Sequence, residues 1–274
     1  MKTVIALTLI LVVAAQATYW NKIRPIQPYR DAIRKFQAYL MNGREVTPSG
    51  PGLLPFQVLI SNRRKFCVGS LIKEDKVLTA AQCCSGGRFF LIFLGGNNLH
   101  TDEPSRRQIV WSTKATIHES YNPSSFENDI CIIHLDFPVS GQGISPVRLP
   151  SCCLLSETFA ERTATVSGWE FTSDGESSTI KSQLVRRNVT VLENGVCRLA
   201  YPIDPSKTIC AKGISGICYG DVGGPLTITE CDGVETQIGI ASFGPHPLDG
   251  GCRSNYPDGY TRITEYIDWI KKLT

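Results

Sequence analysis

Short apolar runs bounded by turn-forming residues recur along most of the chain and set the expected elements. The first clear run is Phe56-Gln-Val-Leu-Ile60. Others follow at Cys67–Ile72, Lys76–Ala81, Phe89–Leu94, Gln108–Ile117, Asp129–Leu135, Ala164–Trp169, Ser182–Leu192, Pro225–Ile228, Thr236–Phe243 and Gly259–Ile263. These runs are rich in Val, Ile, Phe and Thr and are separated by Gly, Pro, Asn and Ser turns. Short strands at such spacing predict an all-β sandwich or barrel. One helix is predicted from its pattern, at the C-terminus. Ile263, Tyr266, Ile267, Ile270 and Leu273 recur at helical spacing, and Lys271 and Lys272 stand in the last turn, where they suit the negative end of the helix dipole. Arg30 to Tyr39 suits a short helix but carries no sign of a packed domain.

The 274 residues are 42% hydrophobic and 19% charged, which is globular and long enough for one large domain or two fused halves. Leu149-Pro-Ser151 reads as a connector between halves. A net charge of +3, with no basic helix and no aromatic-basic ladder, excludes a nucleic-acid partner. Eleven cysteines point to an oxidising compartment. The N-terminus agrees: Met1-Lys2, an apolar run from Val4 to Ala15 and the close Ala15-Gln-Ala17 form a secretory signal peptide over residues 1–17. The run is shorter than the ~20 residues of a spanning helix, and no later segment is longer, so no membrane insertion is expected. Residues 18–39, polar and free of cysteine, read as a pro-segment, and residues 40–274 as the folded domain. The mature chain is expected to be secreted and extracellular.

Candidate chemistry centres on Cys218-Tyr-Gly-Asp-Val-Gly-Gly-Pro-Leu-Thr227. Glycines at 220, 223 and 224 crowd a turn around Asp221, and Pro225 leads into an apolar strand. The turn resembles one built to present a nucleophile, but its centre is Val222, which has neither a proton to give nor a lone pair to attack with. Six further motifs stand in register with it: Leu40-Met-Asn-Gly43, Leu78-Thr-Ala-Ala-Gln-Cys83, Asn128-Asp-Ile130, Ser167-Gly-Trp169, Ser242-Phe-Gly244 and Gly259-Tyr-Thr-Arg262. Together they resemble the chymotrypsin family of serine proteases, in particular its arthropod chymotrypsin and brachyurin branch. The resemblance runs from about residue 40 to the C-terminus. It implies two six-stranded antiparallel β-barrels, a cleft between them, a C-terminal helix and no cofactor or metal.

The same resemblance assigns roles. Acyl transfer in this family needs a hydroxyl nucleophile, an imidazole base and a carboxylate that orients the base. Asp129 fills the acidic position. Gln82 stands at the base position, and an amide does not take up a proton near neutral pH. Val222 stands at the nucleophile position. The histidines present, His100, His118, His134 and His246, fall where the family places no base. Gly220 and the N–H of Val222 match the oxyanion hole, Gly216, Ser242, Gly244 and Asp258 the specificity pocket, and Asp221 the acceptor of a newly cut N-terminus. Asp258 reads equally well as a turn aspartate. That N-terminus would be Leu40, preceded by Tyr39 in place of the usual Arg or Lys, and Arg34-Lys35 is an alternative cut.

Family spacing implies bridges Cys67–Cys83, Cys197–Cys210 and Cys218–Cys252. Cys84 and Cys131 each follow a triad position by two residues, so a Cys84–Cys131 bridge is a further candidate. Cys231 is a candidate partner for Cys152 or Cys153, leaving an odd thiol that suits a disulfide-linked dimer. Asn188-Val-Thr190 is an N-glycosylation sequon. Arg63-Arg-Lys65, with Arg106-Arg107 in a loop of the same barrel, reads either as an exosite for an anionic partner or as a solvated charge run. Three functions are compatible with this set. The first is a secreted protease homologue that does not cut and acts by binding a protein or peptide, as cofactor, decoy or modulator of proteolysis. The second is a protease using unconventional residues. The third is an adhesive or glycan-binding module.

Overall fold

The computed structural model describes residues 45–46, 54–62, 65–96, 107–169, 184–213, 217, 221–245, 251 and 254–274. The expectations for the signal peptide, the pro-segment and its helix, Gly216, Gly220, Arg63, Arg64, Arg106, His100, His246, Cys218 and Cys252 fall outside them.

The first sheet is built from β2 (Gln57–Asn62), β3 (Lys65–Lys73), β4 (Lys76–Thr79), β5 (Phe90–Leu94), β6 (Gln108–Ser112), β7 (Lys114–Ile117) and β8 (Cys131–His134), in the order β6-β5-β2-β3-β4-β8-β7. Every pairing in it is antiparallel. The single run expected over 108–117 is broken at Thr113, so β6 pairs with β5 while β7 pairs with β8. That break turns the expected six strands into seven.

The second sheet contains β1 (Glu45–Val46), β9 (Thr163–Gly168), β10 (Val185–Val191), β11 (Thr208–Lys212), β12 (Pro225–Thr229), β13 (Glu235–Phe243) and β14 (Asp258–Arg262). A pairing of β10 with β9 closes six of these strands into a barrel, and β1 adds to β10 from outside. Strand β11 had no counterpart in the sequence expectations: Thr208-Ile-Cys-Ala-Lys212 holds one β-branched aliphatic residue and ends on a lysine, although the strand is buried almost throughout.

Helices are few. α1 is the single turn Ala81–Cys84, α2 spans Asn194–Ala200, and α3 spans Ile267–Leu273 after a 3-10 turn at Ile263–Tyr266. α2 was not expected, since Asn194-Gly195 reads as a turn. Its Cys197 is bridged to Cys210 of β11, which ties this two-turn helix to the barrel. Among the described residues no helix is long and apolar enough to cross a membrane.

Each barrel buries its own apolar layer: Val58, Ile60, Val68, Leu78, Ile92 and Ile132 in the first, Val191, Ile209, Leu226, Ile238, Ile240 and Tyr260 in the second. The seam between them is polar and hydrogen-bonded. Ser70 Oγ donates to Gln237 Oε1 at 2.6 Å. Ser167 Oγ donates to Gln57 Oε1 at 2.8 Å, and Gln57 Nε2 donates to the Ser167 carbonyl at 3.2 Å. The Val68 N–H donates to the Val222 carbonyl at 2.8 Å. Buried polar atoms matched across a seam fix the relative placement of two barrels more sharply than apolar contact does. The connector is pinned by Arg148, whose guanidinium meets the Asp232 carboxylate in two bonds of 2.7 and 2.8 Å.

Candidate functional site

Where the barrels meet, three segments converge. The first is α1, a four-residue helix held on both sides by disulfides: Cys83 to Cys67 of β3, and Cys84 to Cys131 of β8. The Cys84 and Cys131 Cα atoms lie 6.6 Å apart, within the normal range for a bridge. These two bridges face Gln82 towards β8. The second segment is Asn128-Asp129, just before β8. Asn128 has φ of 55°, in the left-handed region, and its side chain is fixed by Ser120, Tyr266 and Lys207. The third is Ser242-Phe243 at the end of β13.

Asp129 is wholly buried, and its carboxylate is well supplied with donors. Oδ1 accepts the Gln82 backbone N–H at 2.9 Å. Oδ2 accepts Gln82 Nε2 at 2.7 Å and Ser242 Oγ at 2.6 Å. Gln82 Nε2 also donates to the Ser242 carbonyl at 2.7 Å. Both hydrogens of the Gln82 amide are therefore committed to acceptors. Thr261 Oγ1 donates to the Asp129 carbonyl at 2.9 Å and ties the network to β14. Thr261 stands in the Gly259-Tyr-Thr-Arg262 motif, but the sequence assigned it no role.

Val222 is buried, at 3% exposure, in the turn before β12. The turn is held by Gly223 N–H to the Ala241 carbonyl and by Ala241 N–H to the Gly224 carbonyl, each at 2.8 Å. Gly223 has φ of 85°, and a Cβ there would run into Thr79 Oγ1 and the Val68 carbonyl, so both conformation and space require glycine. Asp221 lies against Gly168 and lines a cavity with Ser167, Gly168, Ile217 and Tyr260. A second cavity adjoins the Asp129 network, lined by Phe126, Asn128, Lys207, Ser242 and Phe243 among others. The Phe126 and Phe243 rings stack with centroids 6.1 Å apart, and Tyr201 meets Phe243 edge-on at 5.2 Å. Phe126, Lys207 and Tyr201 were not singled out from sequence; Phe126 stands three residues before Asp129 and could have been.

The described pocket candidates separate into two groups. Ser242 and Gly244 lie in the seam, both buried. Asp258 opens β14 and is 1% exposed, so it is not a turn aspartate. Burial pushes its pKa from 3.8 up to about 7, offset in part by Lys212 and by the Ile217 N–H. Neither carboxylate oxygen has a well-formed hydrogen bond. Lys212 of β11 is buried beside it, and burial lowers its pKa. Its ammonium donates to the Ser254 carbonyl and, at 3.1 Å, to the Tyr256 carbonyl. Lys212 was absent from the sequence candidates.

The two described histidines have partners of their own. His118 packs its ring against Tyr266 and Trp269, and His134 shares a 2.8 Å hydrogen bond with Thr116 Oγ1. Cys152, Cys153 and Cys231 are exposed free thiols, so the expected bridge from Cys231 to the Cys152-Cys153 pair is not formed. Cys231 lies in the β12–β13 turn, and Cys152-Cys153 in a separate 3-10 turn of the connector. Asn188 lies exposed on β10, opposite Thr165. Lys65 begins β3, opposite Asn62.

Comparison with known proteins bears on this arrangement. The Trypsin family profile matches residues 42–270. Among curated proteins the chain is 37% identical to brachyurin of Leptuca pugilator, over 76% of this chain and 88% of that protein. It is 33% identical to collagenase of Hypoderma lineatum, over 86% of this chain and 87% of that protein. It is 34% identical to chymotrypsin of Phaedon cochleariae, over 85% of this chain and 81% of that protein. Among solved structures, the HL collagenase structure superposes with a TM-score of 0.70 at 31% identity, covering 85% of this chain and 98% of the other.

Proposed function

The chain belongs to the trypsin family of serine proteases, and within that family we propose that it binds a protein or peptide and does not cut it. The observation that supports this reading is the state of Gln82. Its amide donates to Asp129 and to the Ser242 carbonyl, at the place where catalysis needs a group that accepts a proton. Val222 supplies no hydroxyl for that group to activate. In a triad that works as a unit, losing either the base or the nucleophile costs on the order of 10⁶ in turnover. The residual ~10³–10⁴ over water that binding and an oxyanion hole sustain is far below useful proteolysis.

The surroundings favour a retained binding role. The seam keeps the Ser242-Phe243 strand end, with an aromatic cavity formed by Phe126 and Phe243 beside it. An extended peptide can pair with such a strand end and seat side chains in the adjoining cavity. In this reading the protein acts as a cofactor, decoy or modulator of proteolysis. It is secreted after loss of residues 1–17 and carries a glycan on Asn188. The segment before Leu40 remains attached or is trimmed without a uniform end. Intact-mass measurement of the secreted protein checks that last point, and a uniform Leu40 start overturns it.

The main test is labelling with a fluorophosphonate probe that reacts with activated serines. The natural chain is expected to remain unlabelled and to leave peptide substrates intact. Labelling, or turnover that follows the protein through purification, overturns the proposal. Gln82→His with Val222→Ser restores the missing groups beside an unchanged Asp129 and serves as the positive control.

A further inference from the structure

Behind the aromatic cavity of the seam, β14 holds an acid that already has a cation beside it. β13 and β14 pair with Phe243 opposite Gly259, and the Phe243 ring lies where a side chain at 259 would stand. Tyr201, which meets Phe243 edge-on, donates its hydroxyl to the Pro257 carbonyl at 2.6 Å. Residues 257 and 259 are thus both in contact with the wall that Phe126 and Phe243 form, and Asp258 sits between them at its back. Along β14 the period of two puts Asp258 on the face of Tyr260, whose hydroxyl is buried without a hydrogen-bond partner. Tyr260 itself lines both cavities of the seam. A buried carboxylate without well-formed hydrogen bonds calls for a cation or a donor. The chain supplies one from β11. Lys212 follows Ala211, which stands opposite Asp258, and it is the cation that acts on that acid. An ammonium has three donors, and two are spent on the Ser254 and Tyr256 carbonyls, in the segment that leads into β14. The charge is therefore anchored next to Asp258 without a direct hydrogen bond to it.

We propose that Lys212 is a built-in counter-cation that closes Asp258 to basic side chains, so that a ligand of the cleft is anchored by an uncharged residue. This rests on the reading of the seam as a peptide-binding cleft and names the side-chain class it takes. An Arg or Lys brought against Asp258 would meet a second cation in the same dry space, and such a clash is how a site rejects a ligand. An apolar side chain needs no charged partner and meets the rings of Phe126, Phe243 and Tyr260. An inorganic cation fits the natural chain less well, because the two carbonyls that could coordinate it are committed to the ammonium. A lysine that merely fills volume is the competing account.

The test uses benzamidine, an apolar ring bearing a planar cation that pairs with carboxylates in two bonds, read by calorimetry on the full secreted chain. Lys212→Ala, which removes the ammonium and opens its space, should bind it at least about tenfold more tightly than the natural chain does. Lys212→Ala/Asp258→Asn should lose that gain. n-Propylammonium, the part of the side chain that alanine lacks, should raise the melting temperature of Lys212→Ala and leave the natural chain unchanged. Should Lys212→Ala not fold, Lys212→Met keeps the volume without the charge. Its urea midpoint should fall further behind the natural chain as pH rises above about 7, where Asp258 is ionised in the natural fold and lacks its counter-cation in the variant. The other groups facing Asp258 are the Ile217 N–H and Tyr260, whose pKa burial raises well above 10.0, so neither titrates in this range. A gap that stays constant with pH assigns Lys212 to filling space and overturns the proposal. So does benzamidine bound equally by the natural chain and Lys212→Ala, or by neither. Stabilisation of the natural chain by sodium ions that Asp258→Asn removes overturns it as well. None of these readouts involves labelling or turnover, so this inference and the non-cutting reading fail separately.

Discussion

Asp129 and Asp258 are both removed from water, at 0% and 1% exposure, yet they live under opposite conditions. Asp129 receives two donors from Gln82 and one from Ser242, all between 2.6 and 2.9 Å. Asp258 has no well-formed hydrogen bond and depends on Lys212, which is itself buried and engaged with the carbonyls of Ser254 and Tyr256. Burial by itself penalises any carboxylate charge; the supply of donors decides whether the charge is kept. Where Gln82 stands, the amide adds a donor to Asp129 and so keeps the buried acid satisfied. Nothing comparable serves Asp258, and its pKa rises.

The largest effect should come from breaking the satisfied side. Asp129→Ala leaves one hydrogen of the Gln82 amide, the Gln82 backbone N–H and the Ser242 hydroxyl without their acceptor inside the seam. A loss of about 3–5 kcal/mol is expected, comparable with removing one partner of a buried polar pair. Urea unfolding checks it, with the midpoint falling and the slope unchanged. A midpoint within error of the natural chain would show that the Asp129 network contributes little.

The other side is sharpened by pH. The pKa of Asp258 is raised on folding, from 3.8 to about 7, so the folded state holds its proton more tightly than the unfolded state. The stability this contributes is fully present below the unfolded value and is lost as pH rises through about 7. The loss is about 1.4 kcal/mol per pH unit across that window. Asp258→Asn should flatten this part of the profile, read from urea midpoints at a series of pH values. An unchanged profile would assign the dependence to other groups.

A smaller effect tests what holds Asp129 and Gln82 together. Cys84→Ser/Cys131→Ser opens a loop of sequence separation 47 and should cost about 2–4 kcal/mol. The smallest effect is predicted for Tyr260→Phe. The Tyr260 hydroxyl is buried without a hydrogen-bond partner near Asp258, and burial raises its pKa well above 10.0. Removing it should change stability by less than about 1 kcal/mol, in the stabilising direction. A clear destabilisation measured by calorimetry would show that the hydroxyl is satisfied by water.

Much of the site could be read along the chain because it sits in short motifs. Asn128-Asp129, Gln82-Cys83 and Asp221-Val222-Gly223 each place a functional position beside residues with strict backbone or bridging demands. Lys212 and Phe126 were not legible in this way. Lys212 occupies an otherwise apolar strand, where its sequence neighbours give no hint of the carboxylate opposite it; that carboxylate lies 46 positions later on β14, where Ala211 pairs with Asp258. The apolar runs at Phe89–Leu94 and Gln108–Ile117 predicted strands, but the contact of Phe89 with Trp111 depends on register across two strands, and no local pattern sets that register.

By itself the sequence determined the β architecture and the family, because these depend on residue type and motif order. Tertiary structure decided how those residues are used. It directed both hydrogens of Gln82 to acceptors, left Asp258 short of donors, left Cys231 unbridged to Cys152 or Cys153, and gathered five apolar side chains on an outer face. The physical reason is the same in each case. Hydrogen-bond satisfaction, charge burial and surface contiguity are properties of neighbours in space, and here those neighbours come from strands far apart in the chain.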